Sequence, residues 1–200
     1  MREVDEDAVR AQLKGEIRTR RLATRKALPR EGREARSAAI GERVLGLPEW
    51  AAAETVLAFV SMPREVQTRA LVEAAWREGK TVATTRMNAT RDDLELAAWR
   101  EGDVLEESGM MFEQPTADAP VVPDDAVDLV LVPALAVDER GHRIGYGKGF
   151  YDRLLPRVAR APRVALIFDF ERIVEVPNRP DDVPVDVIVT DQRVIRTGAR

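Results

Sequence analysis

Residues 127–137, Val-Asp-Leu-Val-Leu-Val-Pro-Ala-Leu-Ala-Val, carry the strongest strand signal in the chain. The run is far shorter than the roughly 18 apolar residues a membrane span requires, and no other stretch comes closer. Its Leu and Val content suits a strand covered on both faces, which is the setting of a parallel sheet. Residues 55–60, 80–87, 163–168, 185–190 and 193–196 read as further strands, and 94–99 as another candidate.

Helical periods separate them. In 7–27, Val9, Leu13, Ile17, Ala23 and Ala27 form an approximate apolar stripe beside a dense basic face, and Pro29 closes the helix. A second helix, 31–47, spaces Ala35, Ala39, Ile40, Val44 and Leu47 along one side and stops before Pro48. After the first strand, a loop enters a helix with Leu71, Val72, Ala75 and Trp76 inward and Gly79 at its end. A short helix is expected at 150–159, and residues 101–126, with three prolines and many acids, read as a long surface connection. Strands alternating with helices imply a largely parallel sheet with helices on both faces. Without repeat or linker, residues 1–200 are expected to form one domain.

Composition narrows the chemistry. Cysteine is absent and His142 is the only histidine, which removes disulfides, thiolate metal sites and cysteine nucleophiles. Any metal is then a hard cation held by carboxylates and phosphate oxygens, which points to magnesium. The charged N-terminus has no apolar signal core, so a cytoplasmic location is expected. A net charge of −4 argues against nucleic-acid binding.

Four segments are candidates for function. Arg143-Ile-Gly-Tyr-Gly-Lys-Gly-Phe-Tyr-Asp152 follows the strongest strand and opens a helix, where ligands of open α/β sheets bind. Gly145, Gly147 and Gly149 permit close backbone approach, and the helix N-terminus attracts phosphate. Arg143 and Lys148 add positive charge, and Asp152 is a candidate magnesium ligand. On the first helix Lys14 and Arg18 share a face, fit either to grip a polyphosphate or simply to remain solvated. Glu65, in Ser61-Met-Pro-Arg-Glu65, reads as a helix cap or as an acceptor for an N–H-rich heterocycle. Asp181 and Asp182 precede the 185–190 strand, as a second metal contact or an acidic turn. His142 is expected at the surface, and Trp99 in the core.

Read together, these segments resemble the 5-formyltetrahydrofolate cyclo-ligases, also called methenyltetrahydrofolate synthetases. The resemblance runs in order through Lys14-xxx-Arg18, SMPREVQT (61–68), LVLVPALAVDERGHRIGYGKGFYDRLLPR (129–157) and VDVIVTD (185–191). The third stretch is the specific one. The resemblance implies a Rossmann-like three-layer α/β/α fold with a mostly parallel sheet, of the CoA-transferase-like kind. It also implies ATP- and magnesium-dependent closure of 5-formyltetrahydrofolate to 5,10-methenyltetrahydrofolate, with release of ADP and phosphate; a monomer without nucleic-acid or membrane partners is expected. Carried over by position, Lys14, Arg18, Arg143, Gly145, Tyr146, Gly147, Lys148, Gly149, Phe150 and Tyr151 would hold ATP. Of these, Lys14, Arg18, Arg143 and Lys148 would act in catalysis. Asp152 and Asp182 would serve magnesium, while Val60, Glu65, Tyr146 and Phe150 would line the folate pocket. The chain departs from the family pattern at Ala134, usually glycine, at Thr84 or Thr85, near a usual proline, and at Glu171, usually glutamine. Such departures leave two alternatives: a paralogue activating another formyl or amide substrate with ATP, and a non-catalytic phosphometabolite-binding module.

Overall fold

The computed structural model describes residues 5–198 apart from 89, 91, 110, 111, 180 and 181. In chain order, the helices α1 (Glu6–Ala27), α2 (Arg30–Leu45) and α3 (Pro48–Ala52) precede β1 (Thr55–Leu57). Then come α4 (Arg69–Arg77), β2 (Thr81–Met87), β3 (Leu94–Ala98), β4 (Leu105–Glu107) and β5 (Glu113–Pro115). The chain continues through β6 (Leu129–Pro133), β7 (Ala136–Val137), β8 (Arg143–Ile144), α5 (Phe150–Arg157), β9 (Arg163–Leu166), β10 (Val187–Val189) and β11 (Val194–Arg196).

Seven of these strands form one sheet in the order β11-β10-β9-β6-β1-β2-β3. The five inner strands are parallel, and the two edge strands are antiparallel to their neighbours. Loop length explains the edges: residues 88–93 and 190–193 are too few for a crossover, so each strand folds back beside its predecessor. From β1 the chain moves outward to β2 and then returns to the other side of β1 through β6. The switch point therefore lies between the carboxyl ends of β1 and β6, where an open α/β sheet has its crevice.

Burial alternates along the central strands because both faces are covered. Leu129 and Leu131 of β6 face a cluster with Ile40, Val44, Leu71 and Val72 of α2 and α4. Val130 and Val132 face the opposite cluster, with Leu154 and Leu155 of α5. This is the three-layer arrangement. Leu131→Ala is expected to cost about 2–5 kcal/mol in a urea titration, the range for a truncated buried leucine whose surroundings relax only partly.

Several local expectations are corrected. The second helix ends at Leu45, and Pro48 starts α3 rather than merely stopping its predecessor, because proline suits a first helical turn. Residues 101–126 contain the β4–β5 hairpin and are tied to the sheet. The Arg86 guanidinium donates to the carbonyls of Thr116 and Ala119, and the Met87 N–H donates to Gln114 Oε1. On α1, Val9 and Leu13 face solvent instead of a core. The inward face is Lys14, Ile17, Arg18, Arg21 and Arg25, and only Ile17 reaches an apolar cluster. Helix α1 lies over loops rich in carbonyl groups, so its packing surface is built of donors.

Candidate functional site at the sheet switch point

Beyond β6 the chain makes the β7–β8 hairpin. Its turn is held by the buried Asp138 carboxylate, which accepts from the N–H groups of Arg140, His142 and Val176. Gly141 sits there at φ +89°, and its carbonyl accepts from Val185 N at 2.9 Å. A side chain at Gly141 would run into the Val185 backbone, so glycine brings residues 182–186 against the hairpin.

The glycine-rich turn follows. Gly147 has φ +91°, and a Cβ there would lie 3.1 Å from Arg18 Cζ. Arg18 reaches the turn from α1 and donates through Nε to the Gly145 carbonyl at 2.8 Å. Helix α5 then begins after Gly149. Its first backbone bond runs from Arg153 N to the Gly149 carbonyl, so the N–H groups of residues 150–152 have no partner within the helix. Free amides, a helix N-terminus and the Arg18 guanidinium thus converge on one turn, the chemistry of an anion cradle. Lys148 is exposed on it. Phe150 is half-buried under the Arg153 guanidinium, 5.3 Å from the ring centroid.

Two carboxylates flank this cradle, and both are paired with cations. Asp152 accepts from the buried Arg143 guanidinium at 2.6 Å, and Arg143 also donates to the Val183 carbonyl at 2.6 Å. Asp182 accepts from Lys14 Nζ at 2.9 Å. Burial opposes ionisation of Asp182, but Lys14, the Arg179 N–H and Arg143 together outweigh it and hold its pKa below the ordinary carboxylate range. Among the described residues no group of three or more potential ligands is assembled; Asp181 lies outside them. Two carboxylates beside such a turn are nevertheless of the kind that could hold magnesium, which takes one or two protein carboxylates and fills its shell with ligand oxygens and water.

At the carboxyl end of β1, residues 61–68 fold onto themselves. Ser61 Oγ accepts from Thr68 N at 2.9 Å, and Glu65 Oε2 accepts from Met62 N at 2.8 Å. Glu65 is buried four residues before α4, so it does not cap that helix, whose N-cap position is Thr68. Burial raises its pKa against the opposing pull of the Met62 N–H, Arg25 and the Tyr146 hydroxyl. Burial, with the nearby Glu65 charge, likewise pushes the Tyr146 phenol upward, so it remains a proton donor. Val60 is half-buried and packs against the core cluster that includes Phe59 and Val66. The Tyr151 hydroxyl is buried and forms no hydrogen bond with described residues.

Two residues that sequence reasoning left out of the site are central to its packing. In the sequence Arg25 is one of many basic residues on the α1 segment, and Glu171 only a departure from the family pattern. They form a buried pair, with Arg25 Nε to Glu171 Oε1 at 2.5 Å and a second bond from the guanidinium to Oε2 at 2.9 Å. The same guanidinium donates to the Ala134 carbonyl at 2.6 Å and to the Tyr146 hydroxyl at 3.0 Å. A signal for Arg25 existed: Lys14, Arg18, Arg21 and Arg25 recur at four- and three-residue steps along one helix face. His142 is half-buried, not superficial, with Nε2 3.3 Å from Asn178 Nδ2. Trp99 is buried against Trp76, as expected of a core residue.

Fold and site define the class: an open, doubly wound α/β protein with a polar crevice at the switch point of its sheet. Residues 10–191 match the model of the 5-formyltetrahydrofolate cyclo-ligase family, and the chain belongs to that family of ligases. It is 32% identical to the 5-formyltetrahydrofolate cyclo-ligase of Mycolicibacterium smegmatis, over 91% of this chain and 95% of the other. Against the Escherichia coli K12 5-formyltetrahydrofolate cyclo-ligase, identity is 28% over 85% of this chain and 96% of the other. The solution structure of Aquifex aeolicus 5,10-methenyltetrahydrofolate synthetase superposes with a TM-score of 0.83 at 29% identity, covering 93% of each chain. The Mycoplasma pneumoniae synthetase shares the fold, with a TM-score of 0.72 at 18% identity, over 89% of this chain and 98% of that one.

Proposed function

We propose that the protein closes 5-formyltetrahydrofolate to 5,10-methenyltetrahydrofolate at the expense of ATP, acting as one domain over residues 1–200, monomeric and cytoplasmic. The formyl oxygen on N5 attacks the γ-phosphorus and ADP leaves. N10 then closes on the activated carbon, loses its proton, and the former formyl oxygen departs as part of inorganic phosphate. The chain's contribution is positioning and charge neutralisation, which suits a site with no cysteine and a single histidine outside the cradle.

In this reading the Gly145–Gly149 turn and the start of α5 receive the phosphates, with Lys14, Arg18, Arg143 and Lys148 offsetting their charge. Asp152 and Asp182 hold magnesium against the same phosphates, and the bound ion adds neutralisation of the developing charge. Glu65 and Tyr146, with Val60 and Phe150, receive the pterin. The Glu65 carboxylate accepts from adjacent ring and amino N–H groups. What supports the reading most is a single juxtaposition. An anion cradle and a buried carboxylate acceptor meet through Tyr146, which belongs to the glycine turn yet interacts with Glu65.

The test is growth of the methenyl-folate absorbance band on mixing protein, MgATP and 5-formyltetrahydrofolate. Turnover is expected with the native protein and a loss of about a hundredfold or more in Asp152→Ala, since a magnesium contact and the Arg143 partner vanish together. ATP binding by thermal shift without any methenyl band would overturn the assignment.

A further inference from the structure

We infer that Arg25 and Glu171 are positioning residues for the substrate pocket, orienting the Tyr146 hydroxyl so that its one proton points at Glu65. The inference rests on the reading of Glu65 as the acceptor for the pterin. Arg25 carries only donors, so where it meets the Tyr146 oxygen, at 3.0 Å, the phenol must accept. The hydroxyl proton is then free to turn towards Glu65, the carboxylate with which it interacts. Arg25 has no freedom to leave this arrangement: Glu171 grips it with two bonds and the Ala134 carbonyl takes a third donor. Glu171 is fixed in turn by accepting from Phe168 N at 3.0 Å. Arg25 thus donates both ways, back to Glu171, which Phe168 N–H also holds, and forward to Tyr146, whose own proton is left for Glu65 in the crevice.

The consequence concerns which substrates bind. A carboxylate held ionised in a buried pocket accepts two neighbouring N–H groups, as a 2-amino-4-oxopyrimidine ring presents; a protonated carboxyl keeps one oxygen as a donor and rejects that pattern. The charged and titratable groups around Glu65 are Arg25 from α1, Tyr146 from the glycine turn, Tyr151 from α5 and Glu171 from the segment after β9. Arg25 favours the ionised form of Glu65 and Glu171 opposes it, with Arg25 the stronger of the two. Removing each member therefore pushes Glu65 in opposite directions.

The experiment is the pH dependence of kcat/KM for 5-formyltetrahydrofolate, with KM for MgATP measured alongside. In Glu171→Gln, which keeps a hydrogen-bonding partner for Arg25, the acid limb is expected to move to lower pH. In the double variant Arg25→Met with Glu171→Leu, which removes both members of the buried pair together, the limb is expected to move to higher pH. The double variant's KM for the folate should also rise about tenfold while KM for MgATP stays within about twofold, as for one lost oriented hydrogen bond. Limbs that stay in place, or move the same way in both variants, would assign the pair a purely structural role and overturn the inference. A native protein that leaves 5-formyltetrahydrofolate unchanged would overturn the functional reading and this inference with it. An active native protein with unmoved limbs overturns the inference alone.

Discussion

Arg25→Met is expected to lower the unfolding free energy by about 3–5 kcal/mol at neutral pH, the cost of leaving one member of a buried ion pair without its partner. Both side chains of the Arg25–Glu171 pair are almost wholly shielded, at 2% and 0% exposure, so water cannot replace the lost contact. The variant also takes a donor from the Ala134 carbonyl and from the Tyr146 oxygen. Replacing both partners with apolar residues of similar volume removes the stranded charge and should recover most of the loss, so the two substitutions will be strongly non-additive. The pH dependence has a definite sign. Burial already raises the Glu171 pKa, and loss of Arg25 raises it further. Between the ordinary carboxylate range and its raised folded pKa, the folded single variant thus binds a proton that the unfolded chain has released. The penalty is full above the folded pKa, shrinks as pH falls through it, and is gone below the ordinary carboxylate range. Urea titrations of the single and double variants at several pH values measure both effects. Equal losses in both variants would sink the argument.

Arg18→Met is expected to reduce kcat/KM for MgATP by about 10²–10³-fold with a much smaller effect on folate KM, the scale for removing one preorganised donor from a developing anion. Arg18 has two duties at one point. It fixes the glycine turn through the Gly145 carbonyl, and it presents its guanidinium beside Gly147, where only a residue without Cβ leaves it room. Lysine at this position would restore charge without the planar fork and is expected to recover only part of the rate. Steady-state kinetics with each substrate varied in turn separates the two constants. A rate loss expressed mainly in folate KM would place Arg18 on the other side of the crevice.

Much of the fold was legible because short apolar strands and helical periods are local patterns. The 127–137 run announced a central strand, and β6 is that strand, buried on both faces between β1 and β9. The same reading joined β6 to residues 134–137, which turn away to form half of a separate hairpin. The antiparallel edges were legible only in loop length. The face of α1 was misread because a helix normally buries an apolar stripe. Here the surface beneath it is a set of carbonyl oxygens, and the arginines go inward to meet them.

The cradle was likewise visible in the chain, since the glycines, basic residues and Asp152 lie within ten consecutive positions. The Arg25–Glu171 pair was not, because its members stand 146 positions apart, and an isolated arginine on a basic helix resembles any solvated one. By itself the sequence determined the main sheet strands and the glycine-rich turn, both consequences of residues adjacent in the chain. Which face of α1 turns inward, that Asp182 meets Lys14, and that a buried charge pair stands behind Tyr146 were decided by tertiary structure. Burial and long-range pairing are properties of the neighbours that folding supplies, and no local pattern encodes them.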